Sequence, residues 1–116
     1  MSQESKTSGV RGFKGSWILM VPEADPQKHR ASIKTPKYEA VVVCVKDCDQ
    51  AVAVCKSLVE KEAVDSVTLC PAFTNFDVAK VIAVIPKTPV NVCRSDGPSM
   101  FAEYATMKKI GWFEKP

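Results

Sequence analysis

The stretch from Tyr38 to Lys61 constrains the fold more than any other. Tyr38 to Val45 contains the run Val41-Val-Val43, and β-branched side chains favour a pleated backbone. Asp47-Cys-Asp-Gln50 follows, with an aspartate in the cap role and a glutamine three residues on, the pattern of a capping box. Ala51, Val54, Cys55, Leu58 and Val59 then fall at i, i+3, i+4, i+7 and i+8, one face of a helix. Lys56, Glu60 and Lys61 take the solvent side. Ser66 to Cys70 is a second strand, with Val67 and Leu69 on one face. Strand, helix and strand in that order predict a right-handed crossover between parallel strands.

The alternation extends in both directions. Ser16 to Val21 is apolar on both faces, which predicts a central strand buried on both sides, stopped by Pro22. Asp25-Pro26 has the form of a helix start, so a helical turn or two is expected through Gln27 to Ile33. Thr35-Pro36 ends it, because the residue before a proline avoids the helical region. Downstream, Pro71-Ala-Phe73 predicts a turn and Thr74-Asn-Phe-Asp77 a cap. The helix that follows would bury Val78, Val81, Ile82 and Ile85 and stop at Pro86. Pro89 to Arg94 alternates, as an edge strand does. The expected fold is α/β: a small, four-stranded, mainly parallel sheet in the flavodoxin-like order 2-1-3-4. Two main helices and a C-terminal helical, aromatic tail accompany it.

The ends read differently from the middle. Residues 1–15 are small and polar with Gly9, Gly12 and Gly15, a linker composition, and predict an N-terminal extension to a domain at 16–96. Residues 97–116 form a C-terminal extension after the Gly97-Pro98 turn. Ser99 can cap a short helix running to about Ile110, with Gly111 as its stop. Phe101, Tyr104, Trp112 and Phe113 are too many aromatics for a disordered tail, so they are expected to bind a partner.

At 116 residues the chain is one domain. Its longest apolar run, Ala40 to Val45, is far short of a membrane span, and the first nine residues lack the apolar core of a secretory signal. Net charge is +3 with scattered lysines, so nucleic acid is not an expected partner. The five cysteines, at 44, 48, 55, 70 and 93, are odd in number and include no C-x-x-C. Four lie in apolar periodic stretches, as small buried hydrophobes do. They point to a reducing, intracellular compartment, cytoplasmic or cytoskeletal rather than organellar. One histidine and no paired cysteine spacing give no expectation of a metal or cofactor.

In this topology four loops meet at the carboxyl edge of the sheet, where open α/β sheets take their ligands. They carry Asp25, His29 and Arg30; Lys46 and Asp47; Cys70, Thr74 and Asn75; and Arg94 with Asp96. The functional reading is a small anion such as a carboxylate, held by Arg30, Arg94, Thr74, Asn75 and the helix N-termini. His29 or Asp25 would act as acid or base and Cys70 as nucleophile. Each has a structural alternative. Asp25 and Asp47 suit helix caps, Cys70 an inert thiol at a strand end, and Arg94 a partner for Asp96 or Asp25. No Ser-His-Asp order, phosphate-binding glycine loop or carboxylate pair occurs.

Ala24-Asp-Pro-Gln-Lys-His-Arg30 resembles the A-D-P-x-x-H-R segment that follows the first strand in a family of short, uncharacterised, mostly bacterial proteins. The resemblance continues through Thr35-Pro36, Val41 to Val45 with Lys46-Asp47, Leu69-Cys70 and Val90 to Arg94, covering 16–96. It implies a compact α/β fold and supplies no reaction. Where that family has a glycine-rich turn, this chain has Pro71-Ala-Phe-Thr-Asn75, and both extensions are additional. The first expectation is therefore a non-catalytic structural or adaptor subunit, held by its N- and C-terminal extensions in a larger protein assembly. The alternative is an anion-binding protein or enzyme working at the sheet edge. A homo-oligomer is the third, because a sheet with little on one face leaves apolar surface uncovered unless the tail covers it.

Overall fold

The computed structural model describes residues 11–116, so most of the expected N-terminal extension, residues 1–10, lies outside the described residues. The elements are β1 (Phe13–Met20), β2 (Arg30–Lys34), β3 (Tyr38–Val45), α1 (Cys48–Glu62), β4 (Ser66–Leu69), α2 (Asn75–Val84), β5 (Val90–Val92) and α3 (Gly97–Lys109). One five-stranded sheet runs β2-β3-β1-β4-β5. β1 pairs in parallel with β3 and β4, and β4 with β5, whereas β2 lies antiparallel to β3. The α/β class stands, but the sheet has five strands rather than four. Its order departs from 2-1-3-4 by the strand added beside β3.

Of the helical turn or two expected through Gln27 to Ile33, a single turn forms, with the Asp25 carbonyl accepting the Lys28 and His29 N–H groups at 3.0 and 2.7 Å. The added strand takes over from Arg30. Asp25 Oδ1 accepts the Gln27 N–H at 3.0 Å, and His29 Nδ1 accepts the Asp25 N–H at 2.8 Å. Side chains that could have capped a helix close a turn instead. The Cys44 N–H then bonds the His29 carbonyl at 2.9 Å, opening the antiparallel ladder. Thr35 and Tyr38 close the hairpin: the Thr35 N–H reaches the Tyr38 carbonyl at 2.7 Å, and Thr35 Oγ1 accepts the Tyr38 N–H at 3.1 Å. Every residue of β2 is exposed, so pairing with β3, not burial, makes it a strand.

β1 begins at Phe13, before the expected start at Ser16. Two glycines expected in a linker are positions of close approach. A Cβ on Gly12 would lie 2.9 Å from the Lys37 carbonyl, and one on Gly15 would collide with the Tyr38 hydroxyl. Arg11 clasps Asp65 through two bonds of 2.6 and 2.7 Å, and the same carboxylate accepts the Lys14 N–H at 2.8 Å. The amino end of β1 is thereby tied to the start of β4.

The Asp47 side chain accepts the Gln50 N–H at 2.8 Å and caps α1. Gln50 turns its own oxygen to the Lys46 N–H at 2.9 Å rather than back to the cap. Thr74 and Asp77 form a full capping box on α2, at 3.1 and 3.0 Å. For α3 the cap is Asp96, not Ser99, whose N–H donates to it at 3.3 Å.

The connections β3-α1-β4 and β4-α2-β5 both advance across the sheet in the same direction. With right-handed crossovers both helices fall on one face. That face holds the core: Ile18, Val41, Val43, Val45, Val67 and Leu69 from the strands, with Ala51, Cys55 and Leu58 from α1 and Val81 from α2. Phe73 and Ile85 join it, whereas Ile82 of the expected α2 face is exposed. Ser16, the one buried polar residue of this core, donates its hydroxyl to the Ser66 carbonyl at 2.9 Å. The central strand is not buried on both sides, since Phe13, Trp17 and Leu19 on its other face are exposed. Among the described residues no helix is long and apolar enough to cross a membrane.

Candidate functional site

The side chains proposed for the sheet edge are found at hydrogen-bonding distance from structural partners. Asp25 and His29 do meet, but through the Asp25 backbone N–H, which leaves Nδ1 of the imidazole as an acceptor inside the turn. Cys70 Sγ accepts the Met20 N–H at 3.3 Å, bridging the ends of β4 and β1. Thr74 is occupied by its capping box. Arg94 donates to the Phe73 and Pro71 carbonyls at 2.7 and 3.3 Å and to Asn75 Oδ1 at 2.9 Å. It thus fastens β5 to the loop before α2, rather than pairing with Asp96 or Asp25. Phe73 in that loop is fully buried in the core.

Arg30 is not brought to Arg94. It lies on β2 at one edge of the sheet, while Arg94 follows β5 at the other. Its guanidinium forms a two-pronged pair with Glu62, at 2.8 and 3.1 Å. The hydrogen bonds from Arg30 hold the Glu62 carboxyl below its ordinary range, and the same bonds raise the guanidinium. An open groove of about 530 Å3 runs here between Asp25, Arg30, Val43, Val54 and Leu58, with Glu62 at its rim.

Two thiols are held away from reactivity. Burial pushes Cys55 up to about 12, and burial together with Asp77 raises Cys48. All five cysteines are free.

Larger than either loop cluster is the uncovered side of the sheet. The strand registers put Phe13, Trp17 and Leu19 of β1, Tyr38, Ala40, Val42 and Cys44 of β3, and Ala31 and Ile33 of β2 on one face. Ser66, Thr68 and Asn91 complete it. The Trp17 indole N–H donates to the Tyr38 hydroxyl at 3.1 Å, and the Tyr38 ring stacks on Phe13 with centroids 6.1 Å apart. The missing side chain of Gly15 is what lets Tyr38 lie there.

The expected aromatic tail divides. Trp112 is half-buried and shares an open cleft of about 590 Å3 with Met20, Val21, Pro22 and Lys46. Tyr104 and Phe113 lean on each other at 5.1 Å, yet both stay exposed, and Phe101 is 78% exposed. α3 buries none of its residues. The tail does not cover the open face, where Trp17 keeps 39% and Ile33 67% of its surface.

An uncovered apolar face was expected from the sequence, but the residues on it were not, because the apolar run of β1 announces only that it is to be buried. The available signal was the direction of the two crossovers, which sends both helices to the same side.

These features define a small α/β domain whose sheet is covered, among the described residues, on one side. A family model matches residues 13–105, from the first strand into α3, and is described as a family of unknown function (DUF6506). The chain belongs to that family. No curated protein and no solved structure matches it.

Proposed function

We propose that the protein is a non-catalytic structural or adaptor subunit, which joins a larger protein assembly through its C-terminal helix. One observation carries the reading. α3 is a capped helix of thirteen residues that buries nothing, with Met100, Phe101 and Tyr104 exposed along it. A short helix gains its stability from packing an apolar stripe, and among the described residues this stripe is left exposed, with Tyr104 leaning only on Phe113. The engagement of His29, Cys70, Arg30 and Arg94 in turn, strand and loop bonds supports the same reading.

The test is the native size of the tagged, full chain in extracts of its own cells. The expected result is an assembly much larger than the purified protein, lost on Phe101→Asp with Tyr104→Asp and kept on His29→Ala. A chain that runs in extracts at its purified size would overturn it.

The groove beside Arg30 favours a second reading, binding of a small carboxylate. Its volume of about 530 Å3 is within the range of small-molecule sites. Such a ligand would have to displace Glu62 from the guanidinium. A thermal-shift screen of mono- and dicarboxylates tests this, with a shift expected in the wild type and absent in Arg30→Gln.

A further inference from the structure

We propose that the open face of the sheet is the docking surface for a second copy of this chain, giving a face-to-face dimer. The surface is distinct from α3 and stands on its own observations.

The first concerns charge. An antiparallel or edge-exposed sheet that faces water normally alternates, apolar residues inward and polar residues outward. Here the alternation is reversed at the charged positions. Lys14, Arg30, Lys34 and Glu39 all take registers on the helix-covered side. Three of them pair at the margins, Lys14 with Glu39 at 4.0 Å and Arg30 with Glu62 at 2.8 Å. The open side carries no charged residue among the described strand positions. Two copies of a charged surface set face to face by a two-fold axis bring like charges together. Two copies of this one do not.

The second concerns desolvation. Burying an indole N–H without a partner is costly, but that of Trp17 already donates to Tyr38. The most prominent group on the face can therefore leave water with its hydrogen bond intact.

The third is area. The strands supply 8, 5, 8, 4 and 3 residues, and at ~4.8 Å spacing and ~3.3 Å rise they make a face of roughly 450 Å2, or about 900 Å2 for a pair. That flat footprint lies just under the roughly 1,000 Å2 of the smallest specific interfaces, and the relief of side chains such as Trp17 and Ile33 adds to it. Sheets pack face to face at about 10 Å, so side chains of the size of Trp17, Leu19, Val42 and Ile33 fill the space from both sides. Each copy supplies the layer that the other lacks, and the result is helix, sheet, sheet, helix.

The experiment measures the mass of the purified full chain by light scattering after size exclusion, at micromolar concentration and in reducing buffer. The expected mass is twice the chain mass of 12.7 kDa. Leu19→Lys is expected to weaken the dimer by about 100-fold, as for a central contact. Ile33→Lys, at an exposed edge position that a monomer tolerates, guards against simple misfolding and is expected to weaken it as well. Circular dichroism verifies that both remain folded. With Trp112→Phe, Trp17 is the sole tryptophan, and its emission should shift to the blue as the protein is concentrated.

A monomeric full chain overturns the proposal. So does a monomer that pairs only when residues 1–10 are removed, since that segment would then be the occupant. A dimer split by Phe101→Asp but untouched by Leu19→Lys and Ile33→Lys overturns it too, because the contact would be α3. The first two results leave the size of the assembly in cell extracts untouched, so the subunit reading stands or falls separately; the third would assign the α3 stripe to a second copy of the chain.

Discussion

Trp17 and Ile18 are neighbours on β1, yet Ile18 is sealed in the core while Trp17 keeps 39% of its surface open. The same contrast runs across β3, where Val41, Val43 and Val45 are buried and Val42 and Cys44 are only half so. Apolar side chains do not separate the two faces, since both carry them. What separates them is the path of the chain. Two crossovers that advance in one direction must lay both helices on one side. The other side is left with strand residues suited to burial and, among the described residues, with no element to bury them. A sheet of this kind is complete for folding on one face and incomplete on the other. The closely bonded loops and the groove at the sheet edges are secondary to that asymmetry.

The largest expected effect tests the covered face. Phe73 is fully buried in the core and occupies the loop that Arg94 fastens. Phe73→Ala should cost about 3–5 kcal/mol in urea unfolding, the range for large aromatic truncations in a core. A loss below about 1 kcal/mol would mean that the site collapses freely and the covered face is not packed as described. Next comes the cap of the second helix. Thr74→Ala removes the acceptor for the Asp77 N–H and half of the capping box, and should cost about 1 kcal/mol. Thr74→Ser should restore most of it. Failure of the serine to rescue would assign the loss to the threonine methyl instead.

How much of this was legible beforehand follows the range of each interaction. α1 could be read residue by residue, because a capping aspartate and an i, i+3, i+4 stripe act within a few residues of one another. β2 could not, because Asp25-Pro26 is an equally good start for a helix or a turn. The choice was made by β3, which offered its free edge. Asp25 and His29 were seen to be close, but proximity did not reveal that the imidazole would accept a backbone N–H. The partners of Arg30 and Arg94 were out of reach for another reason. Glu62 is 32 residues from Arg30, and the carbonyl of Phe73 is 21 residues from Arg94. Spacing along the chain says nothing about such pairs, and only the sheet order brings them together.

Acid should act on the covered face's margin and spare the open one. Asp65 is held below its ordinary value of 3.8, mainly by hydrogen bonds from Arg11, and Glu62 below 4.5 by those from Arg30. Both are carboxylates with depressed native values. Their contribution is therefore fully present above the ordinary values and is lost as the pH falls through the native ones. Urea midpoints should be flat near neutrality and decline below about pH 4.5. Asp65→Asn should lower the neutral midpoint and make the acid limb shallower. An unchanged acid limb in that variant would show that the Arg11 clasp contributes nothing.

The smallest effect on stability is expected on the open face itself, and it gives the most direct comparison with Phe73. Ile33 is 67% exposed on an edge strand that buries none of its residues. Ile33→Thr keeps a β-branched side chain, so the strand preference of β2 is preserved. Replacing an exposed side chain away from caps and ion pairs usually changes stability by less than about 0.5 kcal/mol. In dilute protein, where any dimer is dissociated, the urea midpoint should therefore match that of the wild type. In concentrated protein the wild type gains stability from any partner bound to its folded state, whereas a variant with a weakened dimer gains less. The two curves should coincide when dilute and separate when concentrated. If they differ already in dilute solution, Ile33 supports the fold of the single chain, and the division between a finished and an unfinished face is drawn one strand too wide.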